Sequence, residues 1–252
     1  MPHASPAPSS FRTDVLTDLA LGVAPALLVA GTTGWALGLS PMFPISVLTL
    51  YALFAGLVFY LLPEQPWFGI GAANRVTVVR ATLVLALAAL APHSTIHTAP
   101  GQWWIVGVAT VALGLDGLDG LVARRTGTST PFGARFDMEL DSFLMVVLTI
   151  LVWQSGRVGS WILLLGLPRY VFISAGWLWP WLEAPLPQRV RRKTGCVAQG
   201  IALVLCLSPV VPTLAASVGA LATLLLLIGS FGVDVVWLFR RRTLSRTDGA
   251  VG

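Results

Sequence analysis

Apolar stretches in this sequence repeatedly approach the roughly 20 residues a helix needs to cross a bilayer, and Pro, Gly and charged residues separate them. The stretches lie near 15–38, 44–62, 76–92, 103–123, 136–154, 160–181, 196–209 and 213–239, which predicts eight helices. Charged residues make up 11% of the 252 residues and hydrophobic ones 56%, and the mean hydropathy is +0.81. Soluble domains carry roughly a quarter charged residues, so the expected fold class is all-α, a polytopic transmembrane helical bundle.

Asp14 and Asp18 stand beside Arg12 ahead of the first apolar run, with no small-residue cleavage site, so that run is expected to stay in the membrane. Cys196 and Cys206 are ten positions apart on one expected helix, about 15 Å along its axis, too far for a disulfide between them. With a cytoplasmic N-terminus, fourteen basic residues fall on the inner side and only Arg157 on the outer. Trp67, Trp103, Trp104, Trp153, Trp161 and Trp181 fall at expected helix ends, where an aromatic belt would sit. The net charge of +5 then reflects inner-loop arginines next to anionic lipid and calls for no nucleic-acid partner.

The chain has eleven acidic residues, and Asp116, Asp119, Asp137, Glu139 and Asp141 all fall between positions 116 and 141. Carboxylates at membrane depth are costly and are kept for function. Asp116 and Asp119 are i,i+3 near the inner end of the fourth helix, and Asp137 and Asp141 are i,i+4 near the inner start of the fifth. Each pair shares a helical face, so a short loop between the helices lets four carboxylates converge. Crowded carboxylates repel unless cations neutralise them, and two hard divalent ions sharing oxygen ligands suit four of them. Solvated helix-end charges paired with Arg124, Arg125 and Arg135 would not need to face one gap. Glu139 is out of phase with Asp137 and Asp141 and is expected to pair with an arginine. Gly120 and Ala123 leave room for a base or pyrophosphate near the backbone, and Arg124 can fork onto phosphate oxygens.

The pattern Asp116-x2-Asp119-Gly120-x2-Ala123-Arg124-x8-Gly133-x3-Asp137-x3-Asp141 resembles, at every specified position, the signature of the CDP-alcohol phosphatidyltransferase family. Weaker similarity runs from about 74 to 240, the family's six-helix core, and leaves two N-terminal helices outside it. The resemblance implies Asp116, Asp119 and Asp137 as ligands of one Mg²⁺ or Mn²⁺ ion, and Asp116, Asp137 and Asp141 as ligands of a second. It implies Asp141 as the general base and Gly120, Ala123, Arg124, Thr130 and Gly133 as the region holding the CDP moiety. Asn74-x2-Thr77-x2-Arg80 resembles the opening of the family's first core helix, where the donor is also contacted. By themselves, an Asn and a Thr at a helix start are more often caps.

The implied organisation is a cytoplasmic tail over 1–14, two accessory helices over 15–62, the catalytic membrane domain over 63–242 and a cytoplasmic tail over 243–252. The implied reaction transfers a phosphatidyl group from CDP-diacylglycerol to a small alcohol acceptor, with release of CMP, in phospholipid biosynthesis. The site would face the cytoplasm of a bacterial inner membrane, in a homodimer. Arg169, near the middle of the sixth helix by count, costs free energy at depth unless a polar partner meets it. With Lys193 it would form an anion pocket, so a phosphorylated acceptor such as glycerol 3-phosphate is expected. The alternative transfers a small phosphoalcohol from a CDP-alcohol to a lipid. A divalent-cation transporter would instead carry polar groups through the full membrane depth. A pseudo-enzyme or scaffold would not need the whole signature. His93 and His97, between Pro92 and Pro100, read as loop polarity, and Asp234 as a residue paired with a neighbouring helix.

Overall fold

The computed structural model describes residues 16–61, 71–126, 131–183 and 190–248, with side chains at all of these except 71–74, 118–126, 131–132, 180, 183, 190–193 and 240–248. Helices dominate: α1 (Val23–Leu37), α2 (Met42–Leu61), α3 (Gly71–Leu90), α4 (Ala99–Thr126), α5 (Pro131–Gln154), α6 (Pro168–Leu178), α7 (Val190–Leu207) and α8 (Thr213–Asp248). Short 3-10 turns lie at Ser94–His97, Ser160–Leu165 and Pro180–Glu183. Among the described residues, Leu16–Leu37, Met42–Leu61 and Thr213–Phe239 are long and apolar enough to cross a membrane. Most of their surface is not covered by protein: Trp35, Tyr60, Leu214 and Leu225 are exposed. Large apolar side chains so displayed need lipid around them. The chain is an integral membrane protein.

Two compact units divide the chain at 147/148. In the first, α1 packs on α2, and both pack on α3, which runs against α4. Gly38 ends α1 in the left-handed conformation, φ 59°, and the Leu39 N–H reaches back to the Gly34 carbonyl at 2.9 Å. Ser40 Oγ then accepts the Met42 N–H at 3.1 Å as α2 begins. Thr98 Oγ1 accepts the Gly101 N–H at 3.2 Å and caps α4. His93 packs edge-on against Phe43, with ring centroids 5.6 Å apart, as part of the loop.

The segment ahead of α3 is tied to α3, α4 and α5 by specific contacts. Asp18 is buried and accepts a 2.8 Å hydrogen bond from Arg75 Nε at the start of α3. Tyr51 Oη donates to the Leu19 carbonyl at 2.6 Å, and Trp104 Nε1 donates to Thr33 Oγ1 at 3.1 Å. Phe54 of α2 packs on Phe136 of α5, the residue before Asp137, at 5.6 Å. Gly22 marks the closest approach. A methyl group there would lie 2.0 Å from Tyr51 Oη and 2.6 Å from Val78 Cγ1. Gly22→Ala should therefore destabilise the protein by about 1–3 kcal/mol, the usual cost of overpacking. A thermal midpoint in detergent equal to that of the wild type would show that this junction is not tight.

In the second unit α7 packs on α8, and the turn Ser160–Leu165 also meets α8. Arg157 Nε donates to the Cys206 carbonyl at 2.9 Å, and its Nη2 donates to the Val211 carbonyl, so one guanidinium closes the end of α7. Both cysteines are free, as the spacing required. Asp234 is buried within α8.

The sixth apolar run is not one helix. It is a 3-10 turn followed by α6, which starts only at Pro168. Proline has no N–H to continue the ladder and its ring clashes with the preceding turn, so it begins a helix instead of extending one. The buried Gln199 side chain donates to the Leu165 carbonyl at 2.5 Å, satisfying an acceptor at the break. Arg169 is consequently in the first turn of an 11-residue helix, half-buried, and not in the middle of a long one.

Candidate active site

Residues of the first unit, carried on three helices, build the site. α4 supplies Asp116, α5 supplies Asp137 and Asp141 one turn apart, and α3 supplies Arg80. The carboxylates lie within helices and not at their ends. Thr126 is ten positions beyond Asp116, about 15 Å of further helix, and α5 begins six positions before Asp137. One oxygen from each of Asp116, Asp137 and Asp141 lies within 4.8 Å of the others. Asp119 is on α4, with its side chain outside the described residues, so the fourth expected carboxylate is not placed.

Arg80 offsets part of the charge of this cluster. Its Nη1 donates to Asp116 Oδ1 at 3.0 Å and to Asp137 Oδ1 at 2.8 Å, and its Nη2 donates to Asp141 Oδ1. The side chain is 0% exposed, whereas the three carboxylates are 29%, 35% and 37% exposed. A guanidinium this deep is tolerated only when charged partners surround it. Three carboxylates converging on one cationic group form an all-oxygen donor set of the kind hard divalent ions take. The residues present therefore fit a metal.

The other expected site residues divide into two groups. Thr77, one turn before Arg80 on α3, is buried, and so is Gly133, one turn before Asp137 on α5. Glu139 is exposed and does not belong to the carboxylate cluster, as its phase required. Asn74, Gly120, Ala123, Arg124 and Lys193 lie on helices at positions whose side chains are outside the described residues, and Thr130 lies outside them altogether. Arg80, expected near the donor, is bonded to the three carboxylates. Asp18, which brings no charge to the site, was not expected to bridge to Arg75. Its signal was an acidic residue at the head of an apolar run.

The sequence profile of the CDP-alcohol phosphatidyltransferase family matches residues 70–231, nearly two thirds of the chain. Ethanolaminephosphotransferase 1 of Homo sapiens is 43% identical over 65 residues, which cover 25% of this chain and 16% of that protein. The Mus musculus protein of the same name is 37% identical over 89 residues, covering 32% of this chain and 22% of its own length. The chain thus spans less than a quarter of the length of these curated relatives. No solved structure matches it. The profile match takes in α4 and α5 with all three converging carboxylates and also Arg80, and on that basis the chain belongs to the CDP-alcohol phosphatidyltransferase family.

Proposed function

We propose that this membrane protein transfers a phosphoalcohol group from a small CDP-alcohol to the hydroxyl of a lipid, releasing CMP. The observation that carries the chemistry is the convergence of Asp116, Asp137 and Asp141 on one cationic group. The choice of substrate rests on the two relatives, whose name specifies ethanolamine phosphate transfer. It displaces the expectation of a CDP-diacylglycerol donor with a phosphorylated acceptor at Arg169 and Lys193. A lipid acceptor also requires no anion pocket.

Asp116, Asp137 and Asp141, with Asp119, would hold Mg²⁺ or Mn²⁺, two ions by the ligand count. Such ions supply Lewis acidity and a sink for the charge of the pyrophosphate. The protein's own residues do the rest. Gly120, Ala123, Arg124 and Thr130 hold the CDP moiety, Arg124 through its fork on phosphate oxygens. The acceptor oxygen bonds to the β-phosphorus while the bond to the CMP oxygen breaks, and CMP leaves with that electron pair. Asp141 takes the acceptor's proton, which can lag behind attack. No covalent intermediate on the protein is required.

CMP release from CDP-ethanolamine that depends on added diacylglycerol is the expected result with purified protein and Mg²⁺ or Mn²⁺. CMP release from CDP-diacylglycerol with glycerol 3-phosphate, and none from CDP-ethanolamine or CDP-choline, would reverse the assignment of donor and acceptor. Mg²⁺-dependent cation uptake by vesicles without CMP release would replace the enzyme by a transporter.

A further inference from the structure

The cation at the centre of the carboxylates is one of the protein's own side chains. Arg80 Nη1 lies 3.0 Å from Asp116 Oδ1 and 2.8 Å from Asp137 Oδ1, and Nη2 is bonded to Asp141 Oδ1. These are the same three residues whose oxygens converge closely enough to ligate an ion. A divalent ion drawing on all three carboxylates competes with the guanidinium for them. Its double charge suits three negative charges better than the single charge of Arg80. The carboxylates are partly open and Arg80 is fully buried, so an arriving ion meets the carboxylates first. A buried guanidinium that gives up these carboxylates is stabilised by another anion. A pyrophosphate provides one, and a planar fork binds its oxygens in pairs.

We propose, on the metal-dependent reading above, that Arg80 couples metal loading to donor loading. In the metal-free protein it holds Asp116, Asp137 and Asp141 together. It yields them to the divalent ion and passes to the phosphates of the CDP donor. Ion and donor therefore bind cooperatively, each strengthening the other by the same factor.

The test is calorimetric titration of the full chain in detergent with Mn²⁺, with and without cytidine diphosphate. In the wild type the nucleotide should tighten Mn²⁺ binding about tenfold. Arg80→Gln removes the internal competitor, so Mn²⁺ alone should bind about tenfold more tightly and the gain from nucleotide should largely vanish. Arg80→Lys keeps the charge without the fork and should also lose most of the nucleotide gain. An Arg80→Gln protein that binds Mn²⁺ no more tightly than the wild type, or that keeps the whole nucleotide gain, overturns the proposal. If Arg80→Gln unfolds without metal, recovery of cooperative melting in Mn²⁺ supports the exchange of one cation for the other. Failure to recover at saturating Mn²⁺ overturns it. Asp116→Asn separates this from the underlying reading. If the wild type binds no Mn²⁺, or Asp116→Asn binds it equally well, the metal site itself is refuted. If binding is lost in Asp116→Asn but unchanged in Arg80→Gln, the metal site stands and only the role of Arg80 falls.

Discussion

Asp116→Asn, and likewise Asp137→Asn, should lower transfer by several orders of magnitude while the protein still inserts and melts cooperatively. Each of these carboxylates is assigned to both ions, so its amide removes charge and a ligand oxygen where the pyrophosphate is to be neutralised. Loss of one carboxylate leaves Arg80 with the other two. The buried guanidinium is therefore not stranded, and activity and folding should separate. If Asp116→Asn keeps more than about a tenth of wild-type turnover at saturating Mg²⁺, a loss under 1.4 kcal/mol, the two-metal reading is wrong.

Asp141→Asn should behave differently from these variants in one respect. Asp141 is assigned to the acceptor's proton as well as to one ion, while donor contacts fall to Gly120, Ala123, Arg124 and Thr130. Turnover should drop far more than affinity for the CDP donor, because an interaction needed only as the acceptor attacks lowers the rate without loosening the ground state. Turnover in detergent and calorimetry with the CDP donor measure the two quantities. Parallel losses in both would make Asp141 a binding residue and leave the base unassigned.

Much of the site was legible because its residues are close in sequence. Asp137 and Asp141 are one helical turn apart, and that spacing alone puts them on one face. The apolar runs were equally legible, since bilayer thickness sets the length of a spanning helix. The break before Pro168 was also present in the sequence. Hydropathy does not register a missing N–H, so the run read as continuous and Arg169 was placed too deep.

The sequence by itself determined that this chain is a membrane helical protein with a carboxylate site of the CDP-alcohol type. Only the tertiary structure decided that Arg80 is the cation held between those carboxylates, and that Asp18 and Tyr51 brace the helices ahead of α3. Arg80 is 36, 57 and 61 positions from the three aspartates, and Asp18 is 57 positions from Arg75. Helical periodicity and hydropathy relate residues a few positions apart. Whether a guanidinium is buried or solvated depends on charges that other helices bring to it, and those become neighbours only when the helices pack.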